Sequence, residues 1–435
     1  MPITRHLARR HTLAIHNREA PVSKLPMELL SEIFHIGLDE YDPDDHHAIK
    51  YLSTISSICF TWRGAALGTP SLWRRIIYMD HNHDLHAMIP RRTKDRLFAY
   101  LSRSKSRGIL LHLRLGASPL RIQALKRILY PHFPRCLSIW LSFMLESNMG
   151  DFLPLPGDLC RLTEFTCVSG EGKSYYCSSG PAIFAEPERV SLRKLVVHHC
   201  RPSLDSINVQ DLEDVRLTEI YYPWFESATF ISQCHSLTTL ITTGLNLFVA
   251  EQPPFTLPNL LYLDTVWFAM LEVACTPNLR TLVLTDINGG APTDTVVRLP
   301  FLPALTTLCV MFGDAVSEEI TSLLALNTGI RRLILSECLG SSDLVRLLKT
   351  DDTGSAANTL DTVLLPSLNL LQVCDSSVPD ADEFHSLFAC RPTLRIEYGD
   401  TRGLGHIDAS ELKEIIEEFG QNEEPGVFNS ATSQA

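Results

Sequence analysis

One motif, apolar-x-x-apolar-x-apolar, recurs along most of the chain and restricts its fold more than any other feature. It occurs at Leu110/Leu113/Leu115, Cys136/Ile139/Leu141, Leu162/Phe165/Cys167, Leu192/Leu195/Val197, Leu212/Val215/Leu217 and Leu237/Leu240/Thr242. It returns at Leu260/Leu263/Thr265, Leu279/Leu282/Leu284, Leu305/Leu308/Val310, Ile330/Leu333/Leu335 and Leu360/Val363/Leu365. Successive starts lie 19 to 30 residues apart. Each copy reads as a short strand whose three apolar residues enter a shared core, followed by a segment that returns the chain on the other side. A single copy cannot bury its own apolar face, so stability must come from stacking neighbours into a solenoid.

The connectors differ in character. Residues 225–234, 317–326 and 342–349 have helical spacing, and Ser317 is placed to cap the second. Residues 251–258 and 286–304 are rich in proline or otherwise irregular. Side chains between the buried ones are expected on the concave face. Lys194, His198, Asp214, Arg216, Tyr262, Asp264 and Arg332 are the target-binding candidates there. The column mixes polar and apolar groups without a dominant charge, which suits protein recognition better than phosphate binding.

A different pattern precedes the array. Leu25-Pro26-Met27-Glu28-Leu29-Leu30-Ser31-Glu32-Ile33-Phe34 predicts a helix with proline at its first position and an acid beside its positive end. Its apolar face is wide for so short a helix. An acidic, proline-broken loop at 39–47 follows, and helical spacing resumes over 48–62. A third short helix over 62–67 ends at Gly68-Thr69-Pro70. A module this small is marginal alone and gains stability from a partner.

Leu25-Pro26-x-Glu28-Leu29-Leu30-x-x-Ile33-Phe34, Ile58-Cys59-x-x-Trp62-Arg63-x-x-Ala66 and Pro70-x-Leu72-Trp73 together resemble an F-box. The acidic insert at 39–47 departs from that pattern by lengthening the first loop. The array resembles the leucine-rich repeats attached to many F-box proteins; Cys200 and Cys338 fall where that repeat places Asn or Cys. The resemblance implies docking onto the Skp-type linker subunit of a cullin–RING ubiquitin ligase through Leu25, Pro26, Leu29, Ile33, Phe34, Ile58 and Trp62. It implies a non-catalytic substrate receptor that promotes ubiquitin-dependent degradation of an unknown target. A protein-interaction scaffold outside the ligase is the alternative.

The expected class is α+β: a small three-helix F-box followed by an α/β leucine-rich-repeat solenoid. The expected boundaries are a basic disordered arm at 1–21, the helical module at 22–80 and a helical linker at 81–107. The array then runs over 108–400, with a capping helix at 401–420 and a disordered tail at 421–435. Asp408 and Glu411 form a capping box for that last helix. The overlapping frame Asp400–Glu411 looks like a calcium loop, but Arg402 and Leu404 stand where oxygen ligands belong.

Other chemistry finds little support. The formal charge of −12 argues against nucleic acid or an anionic membrane as the main partner. No apolar run suits a membrane helix or a secretory leader. The cysteines are scattered without CxxC, so reduced thiols in the cytoplasm and/or nucleus are expected. Phosphate-loop, GxSxG and HExxH motifs are missing, so no enzyme, no cofactor and no catalytic residue are expected. His81, His83 and His86 lack a fourth metal ligand nearby. In His198-His199-Cys200, strand alternation would send neighbours to opposite faces and prevent a Cys/His pair.

Overall fold

A computed structural model describes residues 21–41, 46–80, 86, 88–116, 118–144, 149–153, 155–156, 159–169, 181–186, 190–200, 203–219, 224–243, 254–266, 269–285, 300–312, 317–338, 344, 348, 364–374, 387, 391 and 393–399. The chain divides into two units, Met1–Thr306 and Thr307–Ala435. The basic arm at 1–20, His81 and His83, the calcium-like frame, the capping helix and the tail lie outside the described residues.

The first unit begins with helices α1 (Met27–Asp39), α2 (His46–Ile58) and α3 (Phe60–Gly68). Pro26 sits one place earlier than expected, as the N-cap, and its carbonyl accepts the first helical bond from Leu30 N–H at 3.1 Å. Cys59 caps α3, its sulfur accepting from Trp62 N–H at 3.4 Å. Leu30, Phe34 and Leu38 recur on the inner side of α1 and meet Leu52 and Ile55 of α2 and Ala65 and Ala66 of α3 in the buried core. The 3-10 turn Pro70–Trp73 closes the module. Trp73 Nε1–H donates to the Ala66 carbonyl at 2.7 Å, and its ring packs edge-on against Tyr100 and beneath the Arg103 guanidinium.

A parallel sheet follows, its strands laid down in chain order: β1 (Arg75–Met79), β2 (Ile109–Leu115), β3 (Cys136–Phe143), β4 (Glu164–Ser169), β5 (Lys194–His198), β6 (Asp214–Thr218) and β7 (Thr239–Thr243). Two-residue strands β8 (Phe255–Thr256) and β10 (Ala274–Cys275) pair separately, while β9 (Tyr262–Thr265) and β11 (Thr281–Thr285) continue the main sheet. Connectors contain α4 (Arg91–Arg103), α5 (Pro119–Leu129), α6 (Met149–Phe152), α7 (Trp224–Ser232) and α8 (Ala269–Val273). Parallel pairing in sequence order, with a connector returning the chain each time, is solenoid-like mixed α/β architecture.

Register explains its stability. One inward row runs Ile76, Leu111, Ile139, Phe165, Leu195, Val215, Leu240, Leu263 and Leu282 through successive strand pairs, and all are buried. A second buried row contains Tyr78, Leu113, Leu141, Cys167, Val197, Leu217, Thr242, Thr265 and Leu284. In several copies the residue opening the motif donates to the carbonyl three residues back, as in Leu237 N–H to Cys234 O, Leu260 to Leu257 and Leu279 to Thr276. Asn259 and Asn278 tie adjacent copies together by donating to the His235 and Pro258 carbonyls. Cys200 Sγ lies 3.4 Å from the Cys167 carbonyl in the core.

The second unit repeats the scheme with β12 (Thr307–Met311), α9 (Glu318–Leu326), β13 (Arg332–Ser336), β14 (Leu370–Cys374) and β15 (Arg395–Gly399). Ser317 caps α9 by accepting from Ile320 N–H at 3.3 Å. Cys338 Sγ approaches the Val310 carbonyl at 3.1 Å. In the 342–349 connector, Leu344 and Leu348 are the described residues; both are buried and joined by an i to i+4 backbone bond.

Three readings of the array need correction. Its sheet begins at Arg75, not at 108, because Trp73/Ile76/Tyr78 is itself a copy of the motif and Ile76 pairs beside Leu111. The 81–107 stretch is therefore the connector between β1 and β2, with α4 in it. In β2 the registered inward pair is Leu111/Leu113, while Leu110 is partly exposed. The final motif is shifted: Leu371 and Val373 pair beside Leu333 and Leu335, and Leu365 instead accepts the turn bond from Leu368 N–H. Residues 360–363 lie outside the described residues.

Candidate docking face and recognition strip

Helix α1 is apolar on two sides. Leu30, Phe34 and Leu38 face the core, whereas Leu29, Ile33 and Ile36 recur at i, i+4 and i+7 on the outer side. Leu29 is 52% exposed and Ile36 59%. Ile58 at the end of α2 is also exposed, and Phe60 at the start of α3 is 88% exposed. Met27, exposed as well, extends toward α3: a Cβ added at Gly64 would lie 3.8 Å from its Cε.

The expected docking set thus separates. Pro26, Leu29, Ile33 and Ile58 are exposed, and Leu25 is partly so. Phe34 is corrected from surface to core: it is fully buried, its ring 5.1 Å from that of Trp62. Trp62 is half-buried, and its indole N–H is buried without a hydrogen-bond partner among the described residues. Met27, Ile36 and Phe60 were missed. Extending the helical period of Leu29 and Ile33 by one turn would have found Ile36. Phe60 carried no such signal, because its exposure depends on where α2 stops.

On the sheet, Lys194 and Asp214 are register partners, their Nζ and Oδ2 atoms 3.8 Å apart. Arg216, two residues along the same face, grips Asp214 with a guanidinium fork at 3.1 and 3.2 Å. Asp214 therefore lies between two cations, and Glu164 faces Lys194 in register from the other side, so this part of the strip carries balanced charge. Tyr262 continues the Asp214 row through Thr239. His198 lies at the opposite end of β5, with Nδ1 2.7 Å from Thr218 Oγ1. Burial, reinforced by neighbouring His199 and opposed by Glu219, lowers the His198 pKa, so its ring is neutral at pH 7.

Asp264 is separated from Arg216 in register by Ile241. Burial pushes its carboxyl up to about 6, against the lowering effect of a hydrogen bond from Thr285 Oγ1 at 3.3 Å. The neighbouring positions Thr239, Ile241, Thr281 and Val283 are buried, whereas the corresponding positions of β4, β5 and β6 are at least partly exposed. Arg332 belongs to the second unit, where it pairs in register with Thr307 and Leu370.

The histidine pair also differs from expectation. His199 lies just past β5 with φ 52°, so strand alternation does not apply to it, and its ring centroid is 4.0 Å from that of His198. Cys200 turns into the core toward Cys167 and does not join them. Among the described residues, no group of three or more His, Cys, Asp or Glu is arranged to hold a metal ion, and no helix is long and apolar enough to cross a membrane. Comparison with protein-family models and with curated proteins gives no match for the chain.

Proposed function

We propose that this chain is a non-catalytic substrate receptor of an SCF-type ubiquitin ligase. In this reading residues 22–80 are an F-box and the stacked motifs are degenerate leucine-rich repeats. The outer face of α1 docks onto a Skp-type linker, and through it onto a cullin, in the cytoplasm or nucleus. The strip around Lys194, Asp214 and Arg216 contributes to holding a target protein. Ubiquitin transfer then belongs to other chains, and this one supplies proximity.

The supporting observation is the outward row Leu29, Ile33 and Ile36 on a helix whose inner row already fills the core. Exposed apolar area of this kind costs about 25 cal/mol per Å² relative to burial, which a docked partner recovers. Size-exclusion chromatography with purified linker and cullin tests the reading. A complex of all three chains is expected. Elution with the linker alone would favour a scaffold outside the ligase, and elution apart from both would overturn the docking assignment.

A further inference from the structure

The N-terminal rim of the sheet contains a cation-lined cleft of about 540 Å³, apart from both the α1 outer face and the Lys194–Arg216 strip. Arg74 precedes β1, Lys105 and Arg107 precede β2, and Arg161 precedes β4. Among the described residues no carboxylate lines this cleft, in a chain whose formal charge is −12. None of the four cations forms an ion pair among the described residues. By contrast, farther along the rim Arg193 is matched by Glu213 at 3.8 Å.

The cleft is braced from below. Lys105 has φ 50° and ends the turn after α4, its N–H donating to Ser102 O at 3.2 Å. The Arg135 guanidinium binds the carbonyls of Leu101, Lys105 and Arg107, pinning that turn against the start of β3. Arg74 Nε donates to Gly108 O at 3.0 Å, which orients its guanidinium along the cleft. Leu137, the extra residue where the β2–β3 register shifts, forms an apolar floor over Gly108. A Cβ at 108 would come within 2.4 Å of Leu137 Cδ1, so a larger residue there would displace the Leu137 side chain.

We propose that this cleft binds a phosphate group carried as a phosphomonoester or diphosphate. Three arginines and a lysine with no carboxylate among the described lining residues favour an anion of two charges and several acceptor oxygens over a single carboxylate. The proposal is independent of ubiquitin-ligase docking, since no cleft residue belongs to the α1 outer face.

The full chain is titrated calorimetrically with pyrophosphate, a phosphoserine peptide, the same peptide unphosphorylated, and hexaglutamate. The phosphate-bearing probes are expected to bind, more weakly as salt is raised. Arg107→Glu with Arg161→Glu should weaken them at least 10-fold, while Arg193→Glu leaves them unchanged. If the charge-reversed protein melts early, Lys105→Gln with Arg161→Gln replaces it, with the same direction expected. Pyrophosphate binding as tightly as the phosphopeptide assigns the site to a small soluble phosphate, whereas a phosphopeptide preference of 10-fold or more assigns it to a phosphorylated protein segment. No binding, equal affinity for hexaglutamate, or affinity unmoved by the substitutions would overturn the proposal.

Discussion

The helical module and the sheet handle apolar residues in opposite ways. Along the sheet, the rows from Ile76 to Leu282 and from Tyr78 to Leu284 are buried, and accessible residues between them on β5 and β6 are mainly polar or charged. In α1, one apolar row is buried and a second of similar size is left exposed. A sheet residue is buried by the copies stacked on either side of it. Among the described residues, the outer row of α1 has no such neighbour within its module. Substitutions in the two regions should therefore separate cleanly, with stability lost from the sheet rows and binding lost from the outer row of α1.

The largest stability effect is expected at Phe165, which is buried in the inward row with its ring 5.6 Å from Phe184. Phe165→Ala should cost about 3–5 kcal/mol, measured as a lowered urea midpoint. A loss below 1 kcal/mol would mean that stacking does not hold the rows as described.

Asp264 tests the polar side of the sheet. Its folded pKa of about 6 exceeds the model-compound value of 3.8. The folded state therefore holds its proton more tightly, and stability contributed by the neutral carboxyl is present below pH 4 and lost as pH rises toward 6. Asp264→Asn should stabilise the protein by about 1–3 kcal/mol at pH 7 and change little at pH 4, read from thermal melts at both values. Equal effects at both pH values would contradict the burial account.

Trp73 joins the two regions, bonding to Ala66 while packing against Tyr100 of α4. Trp73→Phe removes the indole donor and should cost about 1–2 kcal/mol, leaving the Ala66 carbonyl unpaired by this bond. The smallest stability effect belongs to Leu29→Gln, which should fall within about 0.5 kcal/mol because the side chain is already exposed.

Much of the sheet was legible because burial there follows a fixed spacing. All nine motifs from Cys136 to Ile330 place their strands correctly. The errors have local causes. Trp73/Ile76/Tyr78 is concealed in the sequence because Trp73 also ends the helical module, so one residue serves two patterns. Leu360/Val363/Leu365 and Leu368/Leu371/Val373 satisfy the same motif, and pairing beside Leu333 and Leu335 selects the second. In α1 both rows fit helical spacing, so periodicity alone could not place Phe34 inside and Ile36 outside. The basic cleft was illegible because Arg74, Arg107 and Arg161 come from different connectors and are gathered only by strand pairing.

The central claim is that the outer row of α1 binds a partner without supporting the fold. Leu29→Asp with Ile33→Asp, compared with the unaltered chain for binding to purified linker subunit and for melting temperature, tests it directly. Binding is expected to weaken at least ~10-fold, with melting changed by no more than a few degrees. Undiminished binding by a protein that still melts normally would contradict it.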